Sequence, residues 1–164
     1  MNIENNTFRV VEQFISINGE GRRAGQLALF VRFAGCNLNC AYCDTKWANE
    51  AEVSYCEYTI DELYQMIKES KVKNITLTGG EPLIQPNMDS LLKRLREDAS
   101  LRIEIETNGS VDIQPFLLDT QSDDIQAHSV KSTVEDNVSF TLDYKTSVSG
   151  MEDRMHMDNY VNLR

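Results

Sequence analysis

The chain has 164 residues, 41% of them hydrophobic and 26% charged, enough for one domain with a buried core and short of a complete eight-stranded α/β barrel. Its 16 basic and 26 acidic residues leave a net charge of -10, which argues against a nucleic-acid partner held through its phosphates. No apolar run is long enough to cross a bilayer and the first residues carry no basic leader, so no membrane partner and a cytoplasmic protein are expected.

Residues 10–17, VVEQFISI, are apolar and β-branched and run into Asn18, Gly19, Glu20 and Gly21, which predicts a strand and a turn. Taken alone, that NGEG is a plain reverse turn. Residues 27–34, LALFVRFA, form a near-continuous apolar run of strand length, broken by Arg32. A guanidinium there needs an anion, either a structural ion-pair partner or a ligand carboxylate. Thr59 and Glu62 make a capping box ahead of Ile60, Leu63, Tyr64 and Ile67, predicting a helix over 59–70. Residues 74–78, NITLT, predict a strand ended by Gly79, Gly80, Glu81 and Pro82, and Met88, Leu91, Leu92 and Leu95 recur at helical spacing.

Residues 101–107 alternate Ile103 and Ile105 with Glu104 and Glu106, a strand stopping at Asn108 and Gly109. A polar stretch over 119–137 reads as a loop or insertion. Val138, Phe140, Leu142 and Tyr144 alternate into a last strand ending near Lys145, and a helix is expected over 152–163. Alternating strands and helices predict a single α/β domain over 1–164, with a parallel sheet forming a partial, open barrel. Four motifs, GCNLNC, TGGEP, ETNG and DYK, then fall at carboxyl ends of strands, the edge where parallel α/β folds bind ligands.

Cys36, Cys40 and Cys43 form a C-x3-C-x2-C array within one tight loop. Three clustered thiols suit metal ligation better than disulfides, and three thiolates leave one coordination position or one iron corner open for chemistry. An iron–sulfur cluster is favoured over a structural zinc site completed by Cys56, because Cys56 stands apart with no second knuckle. His128 and His156 lie in polar context and read as surface residues.

CNLNCAYC resembles the cluster-binding motif of the radical S-adenosylmethionine superfamily. With NGEG, FVRFAGCNLNCAYCDT, TGGEP, ETNGS and DYK, nearly the whole chain resembles the 7-carboxy-7-deazaguanine synthases within it. The resemblance implies a radical-SAM-type barrel and a carbon–nitrogen lyase. Its reaction would convert 6-carboxy-5,6,7,8-tetrahydropterin to 7-carboxy-7-deazaguanine with release of ammonia, in queuosine and 7-deazapurine biosynthesis.

It further implies a 4Fe-4S cluster on Cys36, Cys40 and Cys43, and a magnesium ion on Thr45. S-adenosylmethionine would lie near Tyr42, Cys43, Asp44, Gly79, Gly80, Glu81, Asn108 and Lys145. Substrate contacts would come from Ile17, Asn18, Gly19, Glu20, Arg32 and Thr78. A low-potential electron donor and a homodimer are implied as partners.

Asn18 stands where many members have glutamine, and DYKTSVSG where many have a Ser-Pro-Lys run. Members also continue through further strands, so C-terminal strands of the family are expected to be missing from these 164 residues. Two alternatives share the cysteine motif. One is a glycyl-radical-enzyme activating enzyme, which NGEG and CDT disfavour, and the other is an inactive or zinc-bound structural homologue.

Overall fold

A computed structural model of the chain describes residues 7–118 and 136–161. Six strands form one sheet in the order β3-β1-β2-β4-β5-β6. They are β1 (Thr7–Ile17), β2 (Leu27–Phe33), β3 (Cys56–Thr59), β4 (Asn74–Gly79), β5 (Arg102–Thr107) and β6 (Val138–Leu142). Strands β2, β4, β5 and β6 are mutually parallel, as expected.

The other two strands depart from the expected all-parallel sheet. β1 runs antiparallel to β2, pairing Ile17 with Leu27, and β3 runs antiparallel to β1. The connection through residues 18–26 contains one 3-10 turn, Gly21–Arg23, and no crossover helix. A direct turn of this kind joins antiparallel neighbours, whereas parallel ones need a longer crossover. β3 went unpredicted because CEYT is short and shows no apolar alternation.

α1 (Ile60–Glu69) starts at the predicted capping box, with the Thr59 hydroxyl accepting from the Glu62 N–H and the Glu62 carboxylate accepting from the Thr59 N–H. α2 (Met88–Arg96) buries Met88, Leu91, Leu92 and Leu95. Both helices cover one face of the sheet, against Leu29, Val31, Phe33, Ile75, Leu77, Ile103 and Ile105. Each such side chain, removed from water, contributes roughly 1.5–3 kcal/mol.

The alternate residues Phe30, Arg32, Thr78, Glu106 and Thr141 face the other way and wall a cavity. One helix-covered face and one polar inner face make this six-stranded sheet a partial, open barrel.

Two expectations near the C-terminus are corrected. β6 ends at Leu142, not Lys145. In place of a helix over 152–163 there is a 3-10 turn, Glu152–Arg154, and a short α3 (Asp158–Val161). Tertiary bonds override helix continuation: the buried Asn159 amide bonds Ile113 N, Gly109 O and Val111 O, and His156 N donates to Gly109 O. Of the polar stretch 119–137, residues 119–135 lie outside the described residues, as does His128.

Candidate active site

The cysteine loop leaves β2 at its carboxyl end and is held from three sides. Gly35, at φ +87°, accepts from Glu81 N at 2.9 Å and donates to Ala48 O at 3.2 Å, locking the loop to the strand beside it. Ala41 N donates to Ser149 O at 3.0 Å, and buried Leu38 and Cys40 pack on Met155. Gly80 crosses directly over Gly35, where any Cβ would overlap the Gly35 carbonyl. The sequence spacing placed the cysteines in one loop, and these contacts turn all three toward one cavity.

That cavity has a volume of about 470 Å³ and is lined by Cys36, Cys40 and Cys43. From the sequence expectations it also gathers Glu20, Arg32, Tyr42, Asp44, Thr45, Thr78, Gly79, Gly80, Asn108 and Lys145. Ile17, Asn18, Gly19 and Glu81 are not among the lining residues. Ile17 is exposed, whereas Asn18 is buried and donates to the Glu104 carboxylate at 3.0 Å.

Glu81 is fully buried, and its carboxylate accepts from Leu83 N at 3.0 Å, the Thr107 hydroxyl at 2.8 Å and Asn108 N at 2.7 Å. Burial pushes its carboxyl up, and these three donors pull it back. The carboxylate thus ties the turn after β4 to the end of β5 and fixes Asn108. The Asn108 amide in turn donates to Asn37 Oδ1 at 3.0 Å and reaches Cys36 Sγ at 3.6 Å.

Arg32 serves as an ion-pair partner and cavity wall at once. Its Nε donates to Glu12 Oε1 at 2.7 Å across the β1–β2 register, with the side chain mostly buried. Lys145 lies over the Tyr42 ring at 6.0 Å and pairs with Asp143. Burial opposes its charge, but the Asp143 carboxylate outweighs it and holds the ammonium above its ordinary value. Burial also pushes the Cys36 thiol up, with the Leu38 N–H and the Asn108 amide working the other way. A bound metal supplies the charge that makes such a thiol a thiolate.

Several lining residues escaped the sequence analysis. Glu106 extends the Ile103–Glu106 alternation, so its inward direction was legible there. Burial pushes its carboxyl up, further raised by Glu20 and Glu104 and opposed by the Thr78 hydroxyl and Arg32. Phe14 and Phe30 stack with centroids 5.0 Å apart, a pair set by the β1–β2 register. Asn49 Oδ1 is buried without a hydrogen-bond partner among the described residues, and nothing in its local sequence marks it.

Among the described residues, no three His, Cys, Asp or Glu side chains converge on one metal ion. The three cysteines all line one cavity, and three thiols there are a donor set that would suit a polynuclear cluster taking one thiolate per iron. The zinc alternative loses its fourth ligand, because Cys56 is exposed on β3 at the sheet edge, paired with Val10. His156 is half-buried, 3.7 Å from Asp112 and away from the cavity lining.

Comparison with known proteins agrees with this geometry. The chain is 51% identical over 153 residues to the 7-carboxy-7-deazaguanine synthase of Clostridium acetobutylicum, an alignment covering 93% of this chain and 62% of the relative. It is 43% identical over 106 residues to the protein of that name from Hyperthermus butylicus, covering 64% of this chain and 44% of that one. The chain thus spans between about two fifths and three fifths of the curated relatives it matches. The crystal structure of QueE from Escherichia coli superposes with a TM-score of 0.53 at 24% identity, over 68% of this chain and 60% of that one, a likeness of fold. The model of the radical SAM superfamily matches residues 30–143, from the middle of β2 past the end of β6 and through the cysteine loop. The chain belongs to the radical SAM superfamily.

Proposed function

We propose that this cavity serves a 7-carboxy-7-deazaguanine synthase, a lyase that converts 6-carboxy-5,6,7,8-tetrahydropterin to 7-carboxy-7-deazaguanine with loss of ammonia. The observation that carries the reading is the joining, in one cavity, of three cysteines with Arg32 and Glu106 on the inner sheet face and Glu20 on the turn after β1. The relatives' shared name supports the same choice. Cys36, Cys40 and Cys43 would hold a 4Fe-4S cluster, which would supply one-electron reduction of bound S-adenosylmethionine.

The protein's part is binding, orientation and exclusion of water. Gly79 and Gly80 let backbone approach the methionine end of S-adenosylmethionine closely. Tyr42 flanks its adenine, and Asp44, Asn108 and Lys145 offer polar contacts around it. Glu81 acts from behind the wall by fixing Asn108.

Arg32 offers its remaining donors to the pterin carboxylate. Glu20 and Thr78 address the pterin edge, while Ile17, Asn18 and Gly19 shape the turn that carries Glu20. Thr45, whose hydroxyl stands 3.6 Å from Cys43 Sγ, is the protein ligand of a magnesium ion, a hard cation that takes few protein oxygens. A low-potential electron donor would be the redox partner of such a cluster. A homodimer is supported by the exposed apolar strip of Ile15, Ile17 and Leu27.

The test is anaerobic incubation of reconstituted, reduced protein with S-adenosylmethionine, magnesium and the carboxytetrahydropterin, followed by chromatography. The expected product is 7-carboxy-7-deazaguanine, and its yield falls on omitting magnesium. Cleavage of S-adenosylmethionine with no deazaguanine formed sinks the substrate assignment, and a colourless protein carrying stoichiometric zinc sinks the cluster.

A further inference from the structure

A second cavity, of about 310 Å³, lies at the edge of the sheet opposite the cysteine loop. Arg22 and Arg23 reach it from the turn after β1, Arg96 from the end of α2, and Arg102 from the start of β5. Four guanidiniums in one small cavity are unexpected in a chain of net charge -10.

Arg96 has its charge answered by a two-point pairing with Asp136 at 3.0 Å through each contact, and it also donates to Phe116 O. Among the described residues the other three make no ion pair. Arg23 Nη1 donates to the Ser139 hydroxyl at 3.0 Å, and Arg102 Nη1 to Ala99 O and Leu101 O. Arg22 makes no side-chain hydrogen bond there.

The field of Glu104 reaches Arg23, but the Glu104 oxygens are taken by Asn18 and Thr141. Burial, and repulsion from Arg22 and Arg102, hold the Arg23 guanidinium below its ordinary value against that field. Like charges that share a cavity and retain unused N–H donors are stabilised by an anion with several acceptor oxygens. Guanidinium forks match tetrahedral oxyanions in both charge and geometry.

We propose that this cavity binds the phosphate group of a small phosphate monoester, gripped by Arg22, Arg23 and Arg102. Leu118 and Ala99 supply an apolar wall for the organic part. The site is separate from the cysteine cavity and independent of any reaction there.

Calorimetric titration of the full chain at low ionic strength tests it, with ribose 5-phosphate and inorganic phosphate as probes. Both are expected to bind, the ester more tightly. Arg22→Ala/Arg102→Ala should weaken both by about tenfold or more, while Lys93→Ala, which removes an exposed charge on α2 away from the cavity, should leave binding unchanged. Arg22→Ala alone breaks no hydrogen bond seen here, so a weaker affinity with an unaltered melting temperature supports the site even if the double variant folds poorly. Tighter binding of inorganic phosphate than of the ester would overturn the monoester assignment and leave a free-anion site. No binding of either probe, or equal weakening by Lys93→Ala, would overturn the site itself.

Discussion

Glu81 shows how a single side chain can hold a site together without facing it. Its two oxygens serve three donors and no acceptor, so the ionised form fits the bonding while burial opposes it. A glutamine cannot satisfy the same set. With its NH2 at either oxygen position, that group meets a backbone N–H, from Leu83 or from Asn108. Glu81→Gln is expected to cost about 2 kcal/mol, read by urea denaturation, and to loosen Asn108 so that reconstituted protein retains less iron. Unchanged stability would show that the carboxylate is not the tie between β4 and β5.

At the scale of elements, the turn after β4 crosses the cysteine loop with backbone against backbone. Gly80 N donates to Phe33 O at 3.3 Å, and a Cβ at Gly80 would overlap Gly35 O and Asn49 Oδ1. Gly80→Ala is expected to push the loop away at a cost of about 2 kcal/mol, with lower iron retention measured against wild type under identical reconstitution.

A second junction, remote from the site, is Asp98, which fastens α1 to the turn before β5 through Lys68 at 2.7 Å and Tyr64 at 3.0 Å. Lys68 foremost, then Ser100, holds the Asp98 carboxyl far below its ordinary value of 3.8, burial working the other way. A depressed folded-state value means that this stabilisation is present above pH 3.8 and is lost as pH falls through the folded value. Stability curves against pH should therefore show a shallower acid limb for Asp98→Asn than for wild type, with the curves converging toward the most acidic end.

At the scale of the molecule, the cysteine loop rests on β2, on the turn after β4 and on the segment carrying Ser149 and Met155. A cluster bound at three points of that loop binds the folded chain and not the unfolded one, so loading should raise the melting temperature. Chelator-stripped protein is expected to melt below loaded protein, and Cys40→Ser should abolish the difference. Equal melting of loaded and stripped wild type would mean that the loop is rigid without its metal.

Local chemistry determined much of this protein. The three-cysteine spacing, the capping box at Thr59 and Glu62, the apolar periodicity of α1 and α2, and the glycine-rich ends of β2, β4 and β5 each follow from residues within a few positions of one another. They sufficed to place α1, α2 and the strands β1, β2, β4, β5 and β6, though not β3, and to put the motifs on one sheet edge. Tertiary structure alone decided what depends on distant partners. The reversal of β1 followed from a short connection, and the broken C-terminal helix from bonds to Asn159. Burial of Asn18 and Glu81 outside the cavity lining, and the gathering of Arg22, Arg23 and Arg102 from two separate segments, required the sheet to be assembled. Hydrogen bonds and charges act across space, so their partners become legible only when the chain has brought them together.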